Sequence, residues 1–215
     1  PLMHPHLDEI LKISSKYNMQ VNITTNGRLL EEKLEILNNN KVREINISIH
    51  SFNKLNEISN LLKTIDKIKN SYISLRLWNN NDNKEIIKLL NEYYNININD
   101  NDKCIILKEN IYLDKDVQFE WPSLNRNIVS NNGTCLALKK QLAILVDGTI
   151  VPCCLDNEGD INLGNIFNDN LEDIINTKKY KDMLQGFNNN KLVNELCKRC
   201  GYRTRFSKES YVQRN

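Results

Sequence analysis

Residues 43–50 read Arg43-Glu-Ile-Asn-Ile-Ser-Ile-His50, a run in which Ile45, Ile47 and Ile49 alternate with Asn46, Ser48 and His50. Successive side chains on a strand point to opposite faces, so one face here is apolar and the other polar. Two flanking runs repeat the pattern. Residues 20–27 set Val21 and Ile23 against Asn22, Thr24 and Asn26, and residues 72–79 set Ile73, Leu75 and Leu77 against Ser74 and Arg76. Helical spacing fills the intervals: Leu7 to Tyr17, residues 29–38 with Leu30, Leu34 and Leu37, Leu55 to Ile68, and Ile86 to Tyr94. Strands alternating with helices through short links predict an α/β fold with a parallel sheet.

Parallel strands covered on both faces read as almost continuous apolar runs. These strands do not, so their polar face lines something wet or something bound. An open sheet with one wetted face is one account. A partial (β/α) barrel holding a polar ligand at its C-terminal strand ends is the other. Those ends carry Asn26 with Gly27, Ser48 to His50, and Arg76 to Asn79.

The chain has 215 residues, 40% hydrophobic and 26% charged, with a net charge of +2. A buried core is expected and disorder is not. The small net charge argues against nucleic-acid binding driven by a basic surface. No apolar run reaches the length of a membrane span and no secretory signal is visible, which predicts a cytoplasmic protein. The basic stretch Lys198 to Arg214 reads as a solvated tail.

Six cysteines in a chain of this length, without an export signal, read as metal ligands before disulfides. Cys135 and Cys153 flank Gln141-Leu-Ala-Ile-Leu-Val-Asp147-Gly148-Thr-Ile-Val-Pro152, which predicts a hairpin turning at Asp147-Gly148. Both thiols then lie at its open end. A helix from Leu171 to Leu184, with Asn170 as its cap, separates them from Cys197-Lys-Arg-Cys200. Four thiolates suit a tetrahedral zinc or a [4Fe–4S] cluster, and spacing alone leaves both open. Cys154 is a spare thiol beside Cys153, and Cys104, ahead of an apolar run, is expected in the core. Residues 1–95 form the α/β part, 96–132 a bridging segment with a packed turn at Trp121-Pro122, and 133–215 the thiol-bearing module.

The run Cys135-x12-Gly148-x4-Cys153, then Leu163-Gly-Asn-Ile166, then Cys197-x-x-Cys200 resembles the auxiliary-cluster domain of radical S-adenosylmethionine enzymes. Beyond Cys200 there is only Gly-Tyr-Arg-Thr-Arg-Phe-Ser-Lys-Glu-Ser-Tyr-Val-Gln-Arg-Asn, so the match is to the four-cysteine twitch form of the SPASM domain. Pro1-Leu-Met-His-Pro5 resembles the segment just after the Gly-Gly-Glu-Pro motif of that family's partial barrel, and Thr25-Asn-Gly27, INISIHSFN and ISLRLWN resemble its third, fourth and fifth strands. The resemblance implies an auxiliary [4Fe–4S] cluster on Cys135, Cys153, Cys197 and Cys200. It also implies S-adenosylmethionine on the polar strand ends. There Arg76 and Ser48 hold the methionine carboxylate, and Asn26 or His50 reaches the ribose.

In the family, a cluster on a C-x3-C-x2-C loop cleaves S-adenosylmethionine to a 5′-deoxyadenosyl radical, which takes hydrogen from a peptide, sugar or cofactor precursor. An electron donor is an implied partner; nucleic acid and membrane are not. No cysteine precedes Cys104, so the second cluster has no ligands in this sequence. The chain is therefore expected to lack the front of the family's barrel and to be inactive alone. A non-catalytic iron–sulfur or zinc module is the alternative.

Overall fold

A computed structural model describes residues 1–78, 83–99 and 101–206. Asn79 and the tail beyond residue 206 lie outside the described residues. The chain divides into two compact units, Pro1–Gln118 and Phe119–Asn215.

In the first unit, α1 (Leu7–Lys16), β1 (Asn22–Thr25), α2 (Leu34–Asn39), β2 (Glu44–Ser48), α3 (Leu55–Ile65), β3 (Tyr72–Trp78) and α4 (Lys84–Tyr94) succeed one another in alternation. A hairpin of β4 (Cys104–Lys108) and β5 (Ile111–Asp116) ends the unit. The sheet order is β1-β2-β3-β5-β4. The first four strands in that order are parallel, and β4 runs antiparallel at the edge. The expected α/β architecture is therefore present, with α2 starting five residues later than its apolar spacing suggested. A series of turns takes the chain from Gly27 to α2, with the Leu30 amide bonded to the Gly27 carbonyl at 3.1 Å.

The apolar strand positions build the core. Ile45, Ile47, Leu75 and Leu113 have 0% exposure and pack with Leu11, Leu37, Ile58, Leu62 and Leu90 from the helices. Opposite them, register aligns two polar rows. Thr24, Asn46, Ser74 and Tyr112 form one, and Ser48, Arg76 and Asp114 the other.

A carboxylate ties the helical layer to the sheet edge. Asp66, the C-cap of α3, accepts hydrogen bonds from the Tyr93 hydroxyl at 2.7 Å and from the Lys108 ammonium at 2.8 Å. Burial pushes its carboxyl up, but the bonds from Lys108 and Tyr93 outweigh that and hold it below its ordinary 3.8. A depressed carboxyl contributes stability above its unfolded value and loses it as pH falls through the folded one. Urea midpoints should therefore drop between about pH 5 and about pH 2 in the native chain. Asp66→Asn should lower the midpoint near neutral pH and flatten that acid dependence. A parallel acid dependence in the variant would remove Asp66 as its source.

In the second unit, β6 (Ala143–Ile144), β7 (Thr149–Val151) and β8 (Gly164–Asn165) form a small antiparallel sheet. The predicted hairpin is there, but its turn differs. Only Gly148 has positive φ, at 84°, and its amide bonds to the Leu145 carbonyl at 3.0 Å. A two-residue Asp-Gly turn would need both residues left-handed. This is the longer loop in which a turn ends on a left-handed glycine.

The single helix expected from Leu171 to Leu184 is two: α5 (Leu171–Asn176) and α6 (Lys178–Asn188). Thr177 breaks it. Its hydroxyl donates to the Ile174 carbonyl at 2.8 Å and its oxygen accepts from the Tyr180 amide at 3.3 Å, so one side chain ends α5 and caps α6. Asn170 caps α5 through the Glu172 amide. A short helix, α7 (Glu195–Lys198), comes next, capped by Asn194. Of Trp121-Pro122, expected in a packed turn, Pro122 is buried while Trp121 is 46% exposed, with its ring against Phe119.

Candidate metal centre and polar sheet face

The four thiols come from three local structures. Cys135 precedes a turn closed by the Lys140 amide on the Leu136 carbonyl at 2.9 Å. Cys153 lies just after β7, and its carbonyl accepts from the Asp156 amide at 3.2 Å. Cys197 sits in α7, and the Cys200 amide returns to the Cys197 carbonyl at 3.3 Å, so one turn presents two sulfurs. All four thiols are half-buried, whereas Cys104 and Cys154 are exposed.

Burial is the main influence on three of these thiols, Cys135, Cys153 and Cys197. Burial, then the charges of Cys135, Cys154 and Cys200, pushes Cys153 up to about 11. Burial, then the charges of Cys135, Cys153 and Cys200, pushes Cys197 up further. Cys135 is raised by burial and by Cys200. Cys135, Cys153 and Cys197 thus each feel the charge of Cys200, and a cationic centre would relieve these three.

Among the described residues, no three of His, Cys, Asp or Glu close up as ligands of a single ion. The donor set has amide support. The Ala137 amide donates to Cys135 Sγ at 3.5 Å, and the Leu155 amide bonds to Cys153. Hydrogen bonds of this kind orient metal-bound thiolates and set their electronics.

Asp156 braces the loop after Cys153. It is buried, and its two carboxylate oxygens accept from the Asp160 and Ile161 amides, each at 2.9 Å. Sequence reasoning missed it, although an Asp four residues before Asp160 in a Gly-containing loop is an available turn signal.

In the first unit, the four polar candidates fall at the C-terminal ends of adjacent strands. Asn26 is exposed just past β1, its side-chain oxygen accepting from the Arg28 amide at 3.2 Å. Ser48 and Arg76 stand side by side in register, both half-buried. The Arg76 guanidinium lies over the Trp78 ring, 4.8 Å from its centre. His50 Nδ1 lies 3.0 Å from the Arg76 carbonyl and 3.2 Å from the Trp78 amide, so it donates to the first in one tautomer or accepts from the second in the other.

The same row contains Asp114, which the alternation of the first three strands did not reach. It is beside Arg76, and its carboxylate accepts a short bond from the Ser74 hydroxyl. The signal was there: Ile111, Tyr112, Leu113 and Asp114 continue the alternation of the earlier strands. Two expectations are corrected. Cys104 is not a core residue; it begins edge strand β4, opposite Asp114, and its thiol bonds to that carboxylate. The basic stretch after Lys198 is not simply a solvated tail, because Arg203 is 7% exposed.

Comparisons with known proteins agree with this division. The model of the radical SAM superfamily matches residues 1–107. The model of an iron–sulfur cluster-binding domain, SPASM, matches residues 135–201. Sheet and thiols together therefore define a class of protein, the iron–sulfur α/β enzymes that use S-adenosylmethionine. The chain belongs to the radical SAM superfamily and carries a SPASM-type domain. The cofactors of that pairing are [4Fe–4S] clusters and S-adenosylmethionine.

Among solved structures, selenomethionine BtrN in an open conformation is 14% identical, with 97% of this chain and 85% of BtrN aligned at a TM-score of 0.50. That likeness shows the fold. BtrN in complex with AdoMet and 2-DOIA aligns at 14% identity and a TM-score of 0.49, over 93% of this chain and 80% of that one. No curated protein matches the chain. Among the described residues, no helix is long and apolar enough to cross a membrane.

Proposed function

We propose that this chain forms the auxiliary-cluster domain and part of the barrel wall of a cytoplasmic radical S-adenosylmethionine enzyme. In this reading Cys135, Cys153, Cys197 and Cys200 are the four ligands of one [4Fe–4S] cluster. The observation that carries the proposal is a set of four half-buried thiols in which Cys135, Cys153 and Cys197 each feel the charge of Cys200. When bound, the cluster supplies a one-electron redox centre. The chain's residues supply the rest. Cys197 and Cys200 clamp one side from a single turn, and Cys135 and Cys153 close the other. The Ala137 and Leu155 amides fix the sulfur lone pairs.

On the sheet, the proposed roles match side-chain chemistry. Arg76 is permanently charged, lies over Trp78, and pairs the methionine carboxylate of S-adenosylmethionine. Ser48 beside it donates to the same group. Asn26 and His50 reach the ribose. The step that cleaves S-adenosylmethionine needs thiolates that residues 1–103 do not contain, so no part of it is assigned to them. The proposed partners are an electron donor and a substrate from the peptide, sugar or cofactor-precursor classes.

Anaerobic reconstitution with iron and sulfide tests the reading. A brown protein with broad visible absorption and about four irons and four sulfides per chain is expected. A colourless protein that retains one zinc would make the site a structural staple instead.

A further inference from the structure

Arg203 opens a second layer around the thiols. It lies in a 3-10 turn, Tyr202–Phe206, that starts two residues after Cys200. Its side chain folds inward and is 7% exposed. Nε donates to the Cys197 carbonyl at 3.3 Å. The guanidinium fills the space where a side chain at residue 133 would be, and a Cβ on Gly133 would overlap Nη1. Nη2 is buried and has no hydrogen-bond partner among the described residues. Its charge reaches the Cys135 thiol.

A buried guanidinium with an unused N–H is costly unless a negative group completes it. Its charge acts on the Cys135 thiol, and its Nε bond ties it to the main chain at Cys197. A [4Fe–4S] core with four thiolates is a net anion whose sulfurs accept hydrogen bonds. It is the counter-charge that Arg203 otherwise lacks.

We propose that Arg203 is a positioning residue for the cluster, giving the thiolate shell at Cys135 and Cys197 a buried cation and an N–H bond from Nη2. This rests on the four-cysteine reading above. Reduction adds negative charge to the cluster, so a fixed cation stabilises the reduced form more than the oxidised one. Arg203 therefore makes the cluster easier to reduce, and it holds the shell against loss of iron.

The test compares reconstituted native chain, Arg203→Gln and Arg203→Lys in a dithionite potentiometric titration monitored by electron paramagnetic resonance. Arg203→Gln should shift the reduction equilibrium at least tenfold toward the oxidised form, about 59 mV for one electron. Arg203→Lys, which keeps the charge and loses the fork, should fall between. Iron release to a chelator should be several-fold faster in Arg203→Gln. A full cluster with an unmoved potential in Arg203→Gln overturns the proposal and leaves the four ligands standing. If Arg203→Gln assembles no cluster, recovery in Arg203→Lys supports the role of charge, and no recovery overturns it. A native chain that assembles no cluster fails the four-cysteine reading itself, and the proposal falls with it.

Discussion

Cys197→Ser with Cys200→Ser is expected to leave the reconstituted chain with less than about a tenth of the native iron and sulfide. The two sulfurs come from one turn, joined by the Cys200 amide on the Cys197 carbonyl, so together they are half of the proposed donor set in one piece. Cys135 and Cys153 cannot replace them, since two thiolates leave half of the corners of a four-iron core open. Stability should fall as well. Cys135, Cys153 and Cys197 all pack on the second unit's core of Leu138, Ile150, Ile161, Met183 and Phe187. Where a metal centre sits against so small a core, its binding free energy is folding free energy. The paired control is Cys104→Ser with Cys154→Ser. Both residues are exposed, and Cys104 belongs to the other unit. That variant should keep full iron and native visible absorption. Equal iron loss in both variants would remove the assignment, because it would make thiol count rather than thiol position decisive.

That experiment rests on a motif readable without a structure, and the reason is local. Two cysteines three positions apart meet one centre through a single turn, whatever the rest of the chain does. The strands β1 to β3 were legible for a similar reason: a side-chain period of two is written directly in Ile45, Asn46, Ile47 and Ser48. Information that depends on longer range was hidden. Thr177 divides a helix whose apolar spacing runs through the break, because Ile174 and Leu184 serve two short helices as well as one long one. Asp114 belongs to the polar face only once β5 pairs with β3, which places it beside Arg76. Arg203 lies in a basic run, and nothing in such a run marks one cation as buried. The burial is set by Gly133, far earlier in the chain, which leaves room for it. Hidden features of this kind are pairings between distant parts of the chain, and composition does not encode them.

The glycine two residues past β1 shows how one position links the fold to the polar strand ends, and Gly27→Ala is expected to destabilise the first unit by about 2–5 kcal/mol. Two costs combine. Gly27 has φ of +79°, a conformation in which an L side chain costs about 1–2 kcal/mol. An added Cβ would also sit 2.9 Å from Ile47 Cγ2 and 3.1 Å from Leu61 Cδ1. Neither can retreat, because Ile47 has 0% exposure and Leu61 6%, in the middle of the packed core. Overpacking of this kind costs about 1–3 kcal/mol. The damage has a direction. Gly27 donates its amide to the Thr25 hydroxyl at 3.1 Å and offers its carbonyl to Leu30, so its turn sets where Asn26 stands past the end of β1. Urea denaturation monitored by far-ultraviolet circular dichroism would read the loss. Gly201→Ala supplies the contrast, since a Cβ there meets nothing within 4 Å and its φ is not left-handed. It should change stability by less than about 0.5 kcal/mol. A Gly27→Ala midpoint within error of that control would mean that the core around Ile47 yields freely, and the rigid placement of the β1 end would go with it.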